Sequence, residues 1–147
     1  WEAGDDFGFS DVPAWADPGA AVIGLSVEEQ RLDPDSLWWH YRRMISLRRI
    51  HPALYAGTTT MIDVGDRAVL AMLREAGGEA GREAGREAGG ERLLVVANLA
   101  ARDAAVDLVA VGGLGDDGAV DIITGAAVSA EGDFVVPALG LRVLRLP

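Results

Sequence analysis

The sequence has 147 residues, with 13 Arg and no Lys against 23 Asp and Glu, and a net charge of −10 at pH 7; this length suits one domain, or a small domain carrying an extra element. The charge speaks against a nucleic-acid partner, whose phosphates need cationic stripes, and against docking on anionic lipid. The absence of cysteine excludes disulfides, thiolate metal sites and a cysteine nucleophile. No stretch reaches the apolar length that crosses a bilayer.

The chain opens on Trp1 with no initiator Met and no signal peptide, so it reads as beginning within something longer, with a cytoplasmic location expected. Eight of its nine aromatic residues lie before residue 56, and only Phe134 lies after it. Residues 1–32 read mostly as loop, because Gly4, Gly8, Pro13, Pro18, Gly19 and Gly24 interrupt any long element. Trp1, Phe7, Phe9 and Trp15 make this loop aromatic. Two readings stay open for them: a stacking surface for a sugar ring, or a plug for one end of a larger domain.

The clearest helix starts at Asp33-Pro34-Asp35-Ser36. Asp33 is expected to cap it and Pro34 to take its first position. It runs from Leu37 to Arg49 and ends at His51-Pro52, since a residue before proline avoids the α region. Leu37, Trp38, Tyr41, Met44 and Ile45 form one apolar face, while Trp39, Leu47 and Ile50 fall on the other side. Such a helix is expected to lie between two bodies. One can be the downstream strands; the other is not evident in the chain. Five large side chains left in water would forfeit about 1.5–3 kcal/mol each. The isolated chain is therefore expected to be poorly stable, or to cover that face by self-association or with another chain.

From Thr58 the pattern changes to short strands: Thr58–Asp63 and Ala68–Arg74 as a hairpin, Arg92–Asn98 as a strand covered on both faces, then Ala104–Val109, Ala119–Thr124, Gly132–Val136 and Leu141–Leu146. Regular spacing with Gly and Asp turns predicts an antiparallel sandwich. A Glu/Ala/Gly/Arg repeat at 75–91 reads as a lengthened hairpin loop, because its glycines cost a helix about 1 kcal/mol each.

Chemical motifs are sparse. Gly113 to Gly118 formally matches G-x-G-x-x-G, but Asp116 and Asp117 occupy its spaces and a strand follows where a phosphate-binding helix is needed. His40 and His51 lack a second ligand at metal spacing. His51 reads as a helix-end residue at the dipole. No G-x-S-x-G elbow is present. Adjacent Asp5-Asp6 and Asp116-Asp117 lack the rigid separation that two-carboxylate sugar chemistry requires.

The order of motifs resembles a known family. Phe7-Gly8-Phe9-Ser10, Ser26-Val27-Glu28-Glu29-Gln30, Asp33-Pro34-Asp35-Ser36-Leu37, Tyr41-Arg42-Arg43, and Leu47-Arg48-Arg49-Ile50-His51-Pro52-Ala53-Leu54 are similar to the C-terminal portion of α-amylase-family enzymes (glycoside hydrolase family 13). The likeness is to α-glucosidase, oligo-1,6-glucosidase and trehalose synthase types. Leu94-Val95-Val96-Ala97-Asn98 and the final strand extend it more weakly. The resemblance implies a mainly β fold: an antiparallel Greek-key sandwich over residues 56–147, preceded over residues 1–55 by a loop and one long helix that end a (β/α)8 barrel.

The resemblance places the catalytic carboxylates on barrel strands upstream, so none falls in this chain; from the residues themselves, no cofactor or metal is expected. The expected partners are the remainder of the barrel and, through the parent enzyme, an oligosaccharide. The loop residues Trp1, Asp5, Asp6, Phe7 and Phe9 become the candidates for the substrate mouth. The rival reading is a non-catalytic carbohydrate-binding or interaction module, against which the sandwich offers only Phe134 as a platform. A freestanding enzyme lacks any supporting constellation.

Overall fold

The computed structural model describes residues 1–3, 8, 12, 15, 22–77, 90–108, 118–129 and 133–147. They form two compact units, Trp1–Ser46 and Leu47–Pro147. The repeat, apart from its ends, and Asp116-Asp117 lie outside the described residues.

The first unit carries α1 (Val27–Leu32) and most of α2 (Leu37–Ile50). α1 corrects the expectation of continuous loop through residue 32. Ser26 caps it: its Oγ accepts from the Glu29 amide at 3.1 Å, and the Glu29 carboxylate accepts from the Ser26 amide at 3.2 Å. This reciprocal box satisfies two otherwise orphaned donors. The start of α2 differs from expectation too. Asp33 spends its carboxylate on the Asp35 amide at 3.0 Å, and Pro34 sits in the turn between the helices. Gln30, from α1, accepts from the free amide of Trp38 at 3.0 Å instead. The expected burial of α2 on two sides is not seen: the helix has no buried residue, and Leu37, Tyr41 and Ile45 are 63%, 61% and 56% exposed.

The second unit begins with the last turn of α2 and the short α3 (Pro52–Tyr55), where Pro52 takes an early position that needs no amide donor. Eight strands follow: β1 (Thr58–Ile62), β2 (Val69–Ala76), β3 (Glu91–Asn98), β4 (Ala104–Asp107), β5 (Ala119–Asp121), β6 (Ala127–Val128), β7 (Asp133–Val136) and β8 (Leu141–Arg145). They form a six-stranded sheet in the order β1-β2-β3-β8-β5-β6 and a two-stranded sheet β4-β7, with every pairing antiparallel. The mainly β, antiparallel expectation holds.

β5 stops earlier than its apolar run Ile122-Ile123 suggests. The Asp121 carboxylate accepts from the Ile123 amide at 2.9 Å and bends the chain into a turn. β3 is covered on both faces, as its unbroken apolar run predicts. Leu94 and Val96 join Val69, Ala71, Val106, Val136 and Leu144 in a core that draws on both sheets, while Leu93 packs on the opposite face with Ala53, Ala76 and Val143. Successive side chains of a strand point to opposite faces, which is how one segment serves two cores. Gly57, between α3 and β1, is required by crowding: a Cβ there would lie 2.5 Å from the Ala53 carbonyl oxygen.

Candidate functional site

The hairpin of α1 and α2 contributes to an open cleft of about 870 Å³, whose lining includes Trp1, Arg31, Trp38, Trp39 and Arg42 together with Glu2 and Glu28. Polar ties fix its walls. The Ser36 hydroxyl donates to the Gln30 carbonyl at 2.5 Å, and the Trp39 indole N–H donates to the Arg31 carbonyl at 3.0 Å. Trp38 and Trp39 meet edge to face at 4.7 Å. The Arg42 guanidinium lies 4.7 Å from the Trp38 ring centre and 5.3 Å from that of Trp39, and Arg31 reaches Trp38 at 5.6 Å. Cations favour these ring faces because the π-cloud is negative there. The amino-terminal residues are pinned to α1: the Ala3 amide donates to Glu28 Oε2 at 3.0 Å, and the Glu28 amide to the Trp1 carbonyl at 3.4 Å.

Of the residues expected at a substrate mouth, Trp1 lines this cleft, half exposed. Asp5, Asp6, Phe7 and Phe9 lie outside the described residues. Trp15 is fully solvated. Sequence reasoning missed the cleft itself. Its signal was the Trp38-Trp39 doublet beside arginines at 31 and 42, which a helical wheel separates onto two sides but the short α1 gathers into one wall.

A second polar cluster lies in the sandwich unit. His51 Nδ1 meets Glu91 Oε1 at 2.7 Å, and the other Glu91 oxygen accepts from the Ala53 amide at 3.1 Å. Both side chains are buried. His51 is therefore more than a helix-end residue at a dipole: with Glu91 it pins the start of α3 to the first residue of β3. Arg74 reinforces that junction, donating from Nε to the Ala53 carbonyl at 2.9 Å. Two shallower carboxylates are held below their ordinary range: Glu29 chiefly by the Ser26 hydroxyl, and Asp66 by the Ala68 amide and then by Arg102.

Among the described residues, no group of three His, Asp or Glu side chains is placed to hold a metal ion. No described helix is long and apolar enough to cross a membrane. Indoles, guanidinia and carboxylates thus line one cleft together.

No family model matches the chain. Trehalose synthase from Thermus thermophilus is 40% identical over 85 residues, covering 57% of this chain and 8% of that protein. A probable α-glucosidase from Rhizobium meliloti is 34% identical over 79 residues, covering 54% of this chain and 14% of its own length. The isomaltulose synthase structure from Klebsiella sp. LX3 superposes with a TM-score of 0.73 at 23% identity, over all of this chain and 24% of that one. The chain is similar to enzymes of the α-amylase family, glycoside hydrolase family 13. It spans only a small part of its α-amylase-family relatives, and the structural likeness concerns the fold.

Proposed function

We propose that the chain is the C-terminal part of an α-glucosidase-type glycoside hydrolase acting on α-glucosidic bonds of oligosaccharides. Residues 1–55 end the parent's (β/α)8 barrel and residues 56–147 form its C-terminal sandwich. In the parent, a carboxylate nucleophile and a carboxylic acid, both outside this chain, carry out double displacement with retention. This chain covers the end of the barrel, and the loop with Trp1, Asp5, Asp6, Phe7 and Phe9 shapes the substrate mouth.

One observation carries the reading: in a chain similar to these enzymes, α2 presents Leu37, Tyr41 and Ile45 to water and has no fully buried residue, with Trp38, Met44 and Leu47 only partly covered. A helix patterned with an apolar stripe gains its stability from the body that covers it. The rival carbohydrate-binding module finds little support, because Phe134, the one aromatic of the sandwich, is half-buried and packed against the core.

Two measurements test the proposal. The purified chain is expected to leave p-nitrophenyl α-glucoside intact, and to gain activity only when co-expressed with a barrel encoded upstream of Trp1. Hydrolysis by the chain alone at an enzyme's rate overturns it, as does an upstream reading frame without a barrel bearing three acidic residues. Alone, the chain is expected to bind an apolar dye or to self-associate in sedimentation.

A further inference from the structure

The sandwich unit leaves one long strand edge open. β1 ends the six-stranded sheet, with β2 on one side and, among the described residues, no strand on the other. In an antiparallel ladder about half of a strand's amides and carbonyls face away from its neighbour, and at an edge they are a template for another strand. Folded proteins blunt such edges with charge, proline or brevity. The other described edges are blunted in this way: β6 has two residues, and β4 and β7 carry Asp107 and Asp133. β1 has none of these devices. It reads Thr-Thr-Thr-Met-Ile, without a charge, in a chain of net charge −10, and its threonines and isoleucine favour extended backbone. Thr58 to Met61 are all exposed, Met61 at 60%.

Such an edge takes an extended strand, and β1 fits its own copy. A two-fold axis at Thr60 sets two β1 strands antiparallel, the sense of every other pairing in this sheet. It places Thr60 opposite Thr60, and Thr59 of each copy opposite Met61 of the other. Met61 is in register with Met72, and Met72 with Val95, so this row continues into the second copy. In so acidic a chain, an uncharged strand is an edge that a copy can approach with no like charges opposed. We propose that β1 is a self-pairing edge, joining two copies of the chain through an antiparallel β1–β1 ladder centred on Thr60. Five residues a side bury less than a standard interface, so the association is weak and concentration-dependent. The proposal is independent of the glycosidase reading, which rests on α2.

The test is sedimentation of the 147-residue chain over a concentration series, with hydrogen exchange followed at the β1 amides. A monomer–dimer equilibrium is expected, with β1 amides exchanging more slowly as dimer forms. Thr60→Lys and Thr60→Glu, at an exposed position, each oppose like charges across the axis and should weaken association about fivefold. Mixing the two variants opposes unlike charges and should restore it. Ile45→Glu, on the exposed stripe of α2, should leave β1 pairing intact, which separates this edge from association through that helix. Circular dichroism checks that each variant keeps its fold, and exchange at β1 in the unsubstituted chain gives a readout that needs no variant. A monomer at every concentration, β1 exchange that ignores concentration, a mixture that associates no better than either Thr60 variant alone, or a dimer lost in Ile45→Glu and kept in both Thr60 variants overturns the proposal.

Discussion

In residues 47–147 the deepest side chains are Leu93, Leu94, Leu108 and Leu144 with Val96, Val106 and Val136; in the described part of residues 1–46 the buried side chains are Ser26 and Ser36. One unit is closed by apolar burial, which stabilises at roughly 25 cal/mol per Å² removed from water. The other is tied by a capping box, a glutamine bridging two helices and arginines lying over tryptophan rings. Each such contact contributes about 1 kcal/mol. The contrast separates folding from fitting. The sandwich carries its own core, whereas the helical unit has its apolar side chains outward, in the pattern of a surface shaped for something else.

The sharpest challenge to this division lies in the sandwich, where a polar pair is buried. Glu91→Ala leaves the His51 ring and the Ala53 amide without their carboxylate and should cost about 3–5 kcal/mol in urea unfolding; a loss under about 1 kcal/mol would show the pair to be dispensable to that unit. Leu94→Ala, in the core drawn from both sheets, should cost about 3 kcal/mol, read as a lowered midpoint for the strands. Ser26→Ala should cost about 1 kcal/mol and act locally, with α1 amides exchanging faster while the strand midpoint stays put. A matching drop in that midpoint would mean that the two units unfold together.

The smallest effect is set by pH and touches both units. Glu29 and Asp66 are each held below their ordinary values, by the Ser26 hydroxyl and by the Ala68 amide with Arg102. A carboxyl depressed in the folded state adds stability at neutral pH and loses it as pH falls through the lowered value. α1 and the β1–β2 turn should therefore loosen below about pH 4, with carboxyl NMR titrations showing both groups below their reference values. Ser26→Ala should return Glu29 towards its reference and leave Asp66 unmoved.

Local rules made most of the sandwich legible. Strand alternation and turn residues located seven of the eight strands, and the proline after His51 marked the end of α2. What escaped was set by side chains acting over distance or against the pattern. β6 is two residues long and too short to show a period. Ile122 and Ile123 looked like strand until the Asp121 carboxylate took their backbone into a turn. α1 was hidden by the density of glycine and proline before it, although Ser26 and Glu29 carried its capping signature. The cap of α2 comes from Gln30, eight residues before the amide it serves. The partner of His51 lies 40 residues on, beyond a low-complexity repeat. Of the candidate site, Trp1 was legible, while the arginine–tryptophan wall needed the fold of the α1–α2 hairpin to assemble it.

β2 and β3 stay paired out to Ala76 and Glu91, and Gly90 leaves room there for the Ala76 carbonyl, where any side chain would collide. The ladder thus takes in both ends of the segment read as loop from the sequence, Glu75-Ala76 and Glu91, and lengthening the connection between them costs only about 0.6 kcal/mol per doubling. A gene can add or delete copies of that repeat by slippage without disturbing a single cross-strand partner. For the same reason, this junction is where a fluorescent reporter could be spliced into the chain with its termini left untouched.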